Sequence, residues 1–449
     1  MNRIGAWLAG AVLLLVAVPA AGASPSADPA ASPSVPGASP PASAASAGWS
    51  AAVLTQPADS WAPVVGVAVG PDSLVAVGKT VCEQQRNGIS RCWGQPWTSR
   101  DGTTWSAPDA STAGIDLGFY QPTTGGPELG LVGVAYGPGG FVAFGRAQAT
   151  QKGPQRSAVW RSADGTSWRR VKTADAFPAA ARLRTILGTT DGYQLGGVIY
   201  DERAPHAAIW SSPDGVTWAL AGGREAFDIG GYIDTFEDPA SGGVNAFALY
   251  PALADGSGPL AGGAVAVGEA CAGSSGRSIW SFNGYCWGQL WRSADGASWR
   301  KGDMPQTFGP VIAVATSGDR IVVGAPICWD CAPAMLVSDD ATTWRVGYGS
   351  PVDGRLAAMT SAAGRFYALL VVSDATNGQR GGESLALWSS DDGTQWRLDE
   401  AQPSLPISVT SFHEVDMAVA GDRLVVTAAG ETEDATGFAS VALLGPVLP

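Results

Sequence analysis

Two histidines stand among 449 residues, His206 and His413. A histidine-rich metal centre is therefore excluded, and a Ser-His-Asp triad has little room. Basic residues are also scarce: 27 Lys and Arg face 40 Asp and Glu, for a formal net charge of −13. Such a chain lacks the clustered positive charge that displaces counterions from a phosphate backbone, so nucleic acid is not an expected partner. Charged residues make up only 15% of the chain and apolar ones 45%, which excludes wholesale disorder. No G-x-S-x-G nucleophile elbow occurs. Beyond the first two dozen residues no segment is long and apolar enough to cross a bilayer, so the mature chain is expected to have no membrane span. Turn-formers and indoles, by contrast, are plentiful. Sixty Gly and 31 Pro without a collagen period argue against a mostly helical protein and for many short strands joined by turns. Eighteen Trp need an explanation.

The first 23 residues have the pattern of a secretory signal. Arg3 supplies a positive start, Ala11 to Val18 a short apolar core broken by Pro19, and Ala21-Gly22-Ala23 a small-residue cleavage site. No Cys lies near that site, so no lipoprotein anchor is expected. Residues 24–47 are almost wholly Pro, Ala and Ser, a composition that buries nothing and predicts a disordered spacer. Residues 48–449 are left for a folded domain. The preference for Arg over Lys and the abundance of Ala are common in GC-rich bacterial genomes and predict a bacterial source. Secretion, or attachment to the cell envelope, is the expected location.

Six cysteines remain: Cys82, Cys92, Cys271, Cys286, Cys328 and Cys331. An even count in a secreted chain predicts three disulfides, although six cysteines allow 15 pairings. Local spacing favours Cys82–Cys92, Cys271–Cys286 and Cys328–Cys331. The rival reading of Cys328-Trp-Asp-Cys331 as a zinc or redox motif lacks a second ligand pair and a βαβ setting. No metal and no cofactor is expected.

One nine-residue pattern organises the chain. It reads Trp97-Thr-Ser99-Arg-Asp101-Gly-Thr-Thr-Trp105 and returns over 160–168, 210–218, 291–299, 336–344 and 388–396. Its recurring residues are Ser162, Asp164 and Trp168; Ser212, Asp214 and Trp218; Ser293, Asp295 and Trp299; Ser338, Asp340 and Trp344; Ser390, Asp392 and Trp396. Alternation at period two followed by Asp-Gly predicts a strand end running into a tight turn, with Ser and Asp accepting backbone N–H groups inside it. Ala341 replaces the Gly of the fifth copy, so a positive φ there would be strained. Upstream of each copy lies a pair of apolar runs flanking a turn, as in Val64 to Gly78, Leu131 to Gly145 and Val311 to Gly324. Four strands per repeat, here named A to D, make one propeller blade. The tail, Met417 to Thr427 with Ala439 to Leu444, supplies a further hairpin and a third strand. Residues 48–54 resemble the start of a strand D and are expected to close that last blade, removing the open edges. The expectation is an all-β, seven-bladed β-propeller, with six blades as the alternative.

The repeat resembles the Asp-box, or BNR repeat, of the sialidase-like β-propellers, although it is one residue shorter between Asp and Gly than that family's S-x-D-x-G-x-x-W. The resemblance covers nearly all of residues 48–449. It implies that the six Asp residues are turn-formers on the face opposite the ligand face. It implies no activity: no sialidase arginine triad, Tyr/Glu nucleophile pair or Phe/Tyr-Arg-Ile-Pro motif is present, and Arg182-Leu-Arg184-Thr is a poor match to the last.

In such a propeller the B–C and D–A connections share one face. Residues 79–96, 269–289, 325–333 and 372–384 are expected as B–C insertions, and 106–130 and 221–262 as long D–A connections; long loops of this kind are usually functional or disordered. They carry the aromatic candidates Trp93, Trp97, Phe119, Tyr120, Tyr232, Trp287 and Trp329, and an acidic group of Asp228, Asp234, Glu237 and Asp238. Aromatic platforms with carboxylates suit sugar binding, and paired carboxylates suit glycoside hydrolysis. Equally, the rings could pack the loops onto the blades, and the acidic loop could be a solvated surface. Two insertions end alike, Cys92-Trp-Gly-Gln95 and Cys286-Trp-Gly-Gln289. The leading expectation is a secreted noncatalytic propeller that binds a glycan or an extracellular protein on its disulfide-stapled face. The alternatives are a glycoside hydrolase and a cell-envelope assembly factor. The oligomeric state is open.

Overall fold

The computed structural model describes residues 48–56, 62–85, 89–120, 129–173, 176–200, 205–221, 241–249, 264–272, 285–295, 298–305, 311–326, 333–347, 354–373, 382–432 and 438–447. They form seven four-stranded antiparallel sheets arranged as the blades of a β-propeller. The first strand, β1 (Ser50–Val53), belongs to the last blade. Blade 1 is β2 (Val64–Val69), β3 (Leu74–Gln84), β4 (Ser90–Ser99) and β5 (Asp116–Tyr120), with the short helix α1 (Ala110–Ala113) before its last strand. Blade 2 is β6 (Gly130–Gly137), β7 (Gly140–Ala147), β8 (Arg156–Ser162) and β9 (Arg169–Arg170). Blade 3 is β10 (Ala181–Gly188), β11 (Tyr193–Tyr200), β12 (Pro205–Ser212) and β13 (Ala219–Leu220). Blade 4 is β14 (Ser241–Leu249), β15 (Ala264–Ala272), β16 (Tyr285–Ser293) and β17 (Trp299–Lys301). Blade 5 is β18 (Ala313–Ser317), β19 (Arg320–Pro326), β20 (Pro333–Ser338) and β21 (Arg345–Gly347). Blade 6 is β22 (Arg355–Ala362), β23 (Arg365–Ser373), β24 (Glu383–Ser390) and β25 (Arg397–Leu398). Blade 7 is β26 (Val409–Ala420), β27 (Arg423–Thr432) and β28 (Phe438–Pro446), completed by β1.

The ring closes where the sequence predicts. Ser50 to Val53 pair antiparallel with Leu444 to Val441, so the N-terminal strand is the outermost strand of blade 7. The innermost strands neighbour one another in order, and β26 returns to β2. Trp49 stands in blade 7 where the other blades have the last Trp of the repeat. It packs into the seam between blades 6 and 7 and donates its indole N–H to Ala401 O at 3.0 Å.

The core is divided among the seams. Each hydrophobic cluster joins two neighbouring blades: Val75, Val77 and Ile115 meet Leu131, Phe141 and Trp160 in one, and Ala207 and Ile209 meet Ala264 and Trp291 in another. This accounts for the Trp content. The first Trp of each repeat sits on the third strand and faces the preceding blade. Trp97, Trp160, Trp210 and Trp291 are fully buried in this way, with Leu336 in the corresponding place of blade 5. Burying one such ring contributes on the order of 3 kcal/mol or more, and each Trp does so at a blade-to-blade contact.

The turns follow the residue pattern. In the first copy Ser99 Oγ donates to Asp101 Oδ1 at 3.0 Å and accepts Gly102 N–H at 2.8 Å. Asp101 Oδ1 also accepts the N–H groups of Thr103 and Thr104 at 2.8 and 2.7 Å, and the Trp105 indole donates to Gly102 O at 3.0 Å. The copies at Asp164 and Asp214 repeat every bond. Those at Asp295 and Asp392 keep the Ser-to-Asp bond and a backbone N–H on the same oxygen. Gly102, Gly165, Gly215 and Gly393 have φ between +70° and +77°. Ala341 adopts φ +58° in the fifth copy, so this turn is strained as its sequence predicts, and Trp344 turns its N–H to Asp303 O instead.

Four expectations about connections are corrected. Residues 79–96 are not a loop: β3 and β4 run on as a ribbon, with Val81 opposite Trp93 and Glu83 opposite Arg91. The same extension in β15 and β16 makes Cys271 and Cys286 direct cross-strand partners within 269–289. Nor is 221–262 one connection, because β14, the innermost strand of blade 4, lies inside it. In blade 1 the residues after the turn make only one bridge, Thr98 to Ser106. The chain then passes through α1 and returns as β5, which pairs with the extended end of β4. The added length of β4 leaves edge N–H and C=O groups that need partners, and β5 supplies them.

Candidate functional site

Antiparallel blades force the A–B and C–D turns to one face and the B–C and D–A connections to the other. The six Asp turns are therefore on the A–B face. Hydrogen bonding accounts for each carboxylate there. The backbone N–H of Thr104 and then that of Thr103 hold Asp101 well below the usual carboxylate range. At Asp164 burial pushes upward, but the N–H groups of Ser167 and Thr166 outweigh it and set the group at about 2. These carboxylates are ionised and committed to the turn through Oδ1.

The opposite face is built from strand ends. The Cys82–Cys92 disulfide ties the β3–β4 ribbon across a sequence separation of 10. Its sulfur side packs on Ile115, Leu117 and Leu131. Its other side carries Val81, Glu83, Trp93 and Gln95. Gln95 is fully buried and donates Nε2 to Pro96 O at 2.8 Å and to Pro108 O at 3.0 Å. Gln289 does the same in blade 4, reaching Leu290 O at 2.9 Å and Gly302 O at 3.5 Å. The recurring Cys-Trp-Gly-Gln is thus a clamp, in which an amide ties strand C to the carbonyl 13 residues later.

The structure places the aromatic candidates as follows. Trp93 is half-buried and lines a cleft of about 280 Å³. Trp97 is fully buried, donates its N–H to Thr55 O at 2.9 Å and has no surface to offer a ligand. Phe119 and Tyr120 lie half-buried on β5; Tyr120 packs on the core, and Arg91 stands 6.0 Å from the Phe119 ring. Trp287 is on β16 opposite Ala270, and its side chain lies outside the described residues. Tyr232, Trp329, Cys328, Cys331 and the acidic group Asp228, Asp234, Glu237 and Asp238 also lie outside them.

Two groupings on this face carry charge that the sequence does not flag. The first lies between blades 2 and 3. Arg146 is at the end of β7, Arg182 at the start of β10 and Tyr200 at the end of β11. Burial first, and then the neighbouring Arg182 guanidinium, push Arg146 down to about 10. Burial lowers Arg182 as well. Among the described residues neither pairs with a carboxylate. Arg146 Nε is buried without a hydrogen-bond partner, and Arg182 lies 5.9 Å from the Tyr200 ring and donates to Ala181 O. Both remain protonated at neutral pH, so two like charges face one site, an arrangement an anion relieves. The second grouping is on β26, the innermost strand of blade 7. Burial pushes the Glu414 carboxyl up against the pull of Lys79, His413 and Arg355. Burial also raises Asp416, whose two oxygens accept Val67 N–H at 3.0 Å and Met417 N–H at 2.8 Å. Asp416 thereby ties blade 7 to blade 1 at the ring closure. A signal for the first grouping was available: Lys79 and Arg146 each follow the Gly of an aligned apolar second run, Gly78 and Gly145. Among the described residues no group of three or more His, Cys, Asp or Glu could hold a metal ion.

No family model matches the chain, and no curated protein matches it. Several solved structures are similar to it. An α-L-arabinofuranosidase from Fusarium graminearum, in complex with an iminosugar inhibitor, is 12% identical over 89% of this chain and 98% of its own, with a TM-score of 0.44. A polysaccharide lyase, an ulvan lyase, is 12% identical over 84% and 91%, with a TM-score of 0.49. YCF48 bound to a D1 peptide is 13% identical over 90% and 96%, with a TM-score of 0.45. At these identities the likeness assigns no residue of this chain a role.

Proposed function

We propose that the chain is a secreted, noncatalytic β-propeller that binds an acidic ligand, a glycan or an extracellular protein, on its B–C and D–A face. Residues 1–23 would serve as the secretion signal and 24–47 as the spacer, and the six turns are read as shortened Asp boxes. One observation carries the binding reading: the guanidiniums of Arg146 and Arg182 are half-buried side by side without a carboxylate partner among the described residues, in a chain of net charge −13. Unpaired cations in an acidic protein are costly to bury, and a carboxylate, sulfate or phosphate offsets that cost. Tyr200 beside Arg182 adds an aromatic surface.

The test is retention of residues 48–449 on acidic and neutral glycans and on acidic peptides, with ligand mass read in parallel. Acidic ligands should be retained and released by salt. Replacing both arginines by Gln should weaken retention by about tenfold or more, since a hydrogen bond to a charged group is worth about 1.5–3 kcal/mol. Retention that ignores the double substitution would refute the reading. A second reading, glycoside hydrolysis, rests on Glu414, whose buried carboxyl is pushed toward holding a proton as a general acid must. A loss of ligand mass abolished by Glu414→Gln would establish it in place of the first.

A further inference from the structure

The cleft beside Trp93 differs in polarity from the arginine pair on the same face. It lies between the free side of the disulfide ribbon, the segment after β1 and the start of α1. Two of its lining residues are acidic, Glu83 and Asp109, and none is Lys, Arg or His. Asp109 Oδ1 accepts the N–H and hydroxyl of Ser111, and these bonds hold the carboxylate in its charged form. Glu83 is exposed and makes no ion pair among the described residues.

An independent feature points the same way. Gln95 is 0% exposed and lines this cleft, yet its Oε1 has no hydrogen-bond partner. The amide cannot rotate to relieve this, because Nε2 is held by two carbonyls, and a flip would set oxygen against oxygen. A buried amide oxygen without a donor costs roughly 1–3 kcal/mol, and a donor brought by a ligand would recover it. The other amide in the lining, Gln56, donates Nε2 to Ser440 Oγ and accepts Ala62 N–H at Oε1. The acceptors among the lining side chains are Glu83, Asp109 and Gln95 Oε1, against the Thr55 hydroxyl, the Trp93 indole N–H and the second Nε2–H of Gln56 as donors. The remaining wall is the Trp93 indole, whose ring the chain already uses to receive a cation: the Arg91 guanidinium carbon lies 5.8 Å from its centroid, and Asp116, outside the cleft, takes up the Arg91 charge at 3.0 Å. A neutral sugar could pair with those donors but would bring the two carboxylates no counter-charge. A cationic donor matches the carboxylates, the amide oxygen and the ring together.

We propose that the Trp93 cleft is a second binding site, which takes a primary ammonium or guanidinium group with Glu83 and Asp109 as counter-charges, Gln95 Oε1 as acceptor and Trp93 as the aromatic wall. The site goes beyond the acidic-ligand reading and does not depend on it. Lysine side chains and amino sugars both present this chemistry, and the probes separate them.

The full chain is titrated calorimetrically at low salt and pH 7 with Nα-acetyl-lysine methylamide, arginine methylamide, glucosamine and N-acetylglucosamine. Saturable binding of the lysine or arginine derivative alone assigns the site to a peptide side chain, and of glucosamine alone to an amino sugar; either supports the proposal, as does binding of both. N-acetylglucosamine, which has lost the charge, should bind at least about tenfold more weakly than the best cation, the loss of one charge-assisted contact. Glu83→Gln should weaken the cation about tenfold with an unchanged melting point; Trp93→Ala should weaken it about tenfold while also lowering the melting point, because the ring packs on the core, and Trp93→Phe should weaken it less. Absence of saturable binding by every cation, equal binding of N-acetylglucosamine, or indifference to Glu83→Gln would overturn the proposal. The comparison of charged with acetylated probe uses the wild-type chain, so it stands if a variant fails to fold. Retention of acidic ligands through Arg146 and Arg182 is measured on the same Glu83→Gln chain, so failure of one site is visible apart from failure of the other.

Discussion

Gly165→Ala tests whether the repeat turns are seam elements or merely surface hairpins. Gly165 has φ +77°, and a Cβ built there would lie 2.3 Å from Val75 Cγ2 on β3 of the preceding blade. The same contact recurs at Gly215 against Val142 and at Gly393 against Val322, with Cβ distances of 2.7 and 2.4 Å. A non-glycine residue in the left-handed region costs about 1–2 kcal/mol, and forcing a methyl into a packed contact about 1–3 kcal/mol more. Gly165→Ala should therefore lose about 2–5 kcal/mol. Ala341 provides the internal control. It occupies the equivalent turn at φ +58° and is itself buried against Val265 and Val267. Ala341→Gly relieves about 1 kcal/mol of backbone strain and gives up about 0.8 kcal/mol of buried methyl, so it should be close to neutral. Equilibrium urea unfolding followed by Trp fluorescence measures both. Adding Val75→Ala to Gly165→Ala removes the clashing Cγ2 and should recover part of the loss as a coupling of about 0.5–3 kcal/mol. A Gly165→Ala cost below about 1 kcal/mol, or no coupling to Val75, would refute the seam argument.

Three further outcomes follow from the same contacts. Opening the Cys82–Cys92 disulfide, as the double Ser variant, should cost about 3 kcal/mol by the loop-entropy relation, read as a lowered urea midpoint against the oxidised wild type. Asp164 and Asp392 are held at about 2, below the value of about 4 for an unfolded chain. Their contribution is present above pH ~4 and lost as pH falls toward 2; acid unfolding should steepen in that window, and Asp164→Asn should flatten it. Gln95→Leu should remove the clamp to Pro96 O and Pro108 O at a cost of about 1–3 kcal/mol, and Gln289→Leu should match it if the two motifs do one job. Thermal melting of the two variants side by side decides that.

The architecture was legible because its determinants are local and repeated. Each Ser-x-Asp-Gly unit satisfies its own hydrogen bonds within four residues, so it reads the same in a sequence as in a fold. The N-terminal closure was legible because Gly48-Trp49-Ser50 resembles the Thr104-Trp105-Ser106 that follows the first turn. Two strands were not legible. β5 exists because β4 overruns its blade and needs a partner, a tertiary demand with no local pattern. β14 begins Ser-Gly-Gly and carries Asn245, too weak an alternation to separate it from connection.

The candidate sites were less legible because neighbouring blades, not neighbouring residues, make them. Lys79 and Arg146 hold the same repeat position, one residue past the Gly of the second apolar run. At Lys79 the adjacent innermost strand presents Glu414, and opposite charges meet. At Arg146 the adjacent strand presents Arg182, and like charges meet. The repeat fixes where the cation stands, and the seam fixes whether it is paired. Transplanting the pairing should therefore transplant the behaviour. Arg182→Glu would give Arg146 the counter-charge that Glu414 gives Lys79. It should raise stability at low ionic strength and abolish retention of acidic ligands, whereas Arg182→Gln should only weaken retention, with little gain in stability. If Arg182→Glu left retention intact, the unpaired charge between blades 2 and 3 would be only a tolerated defect of the repeat, and the ligand would have to be sought elsewhere on that face.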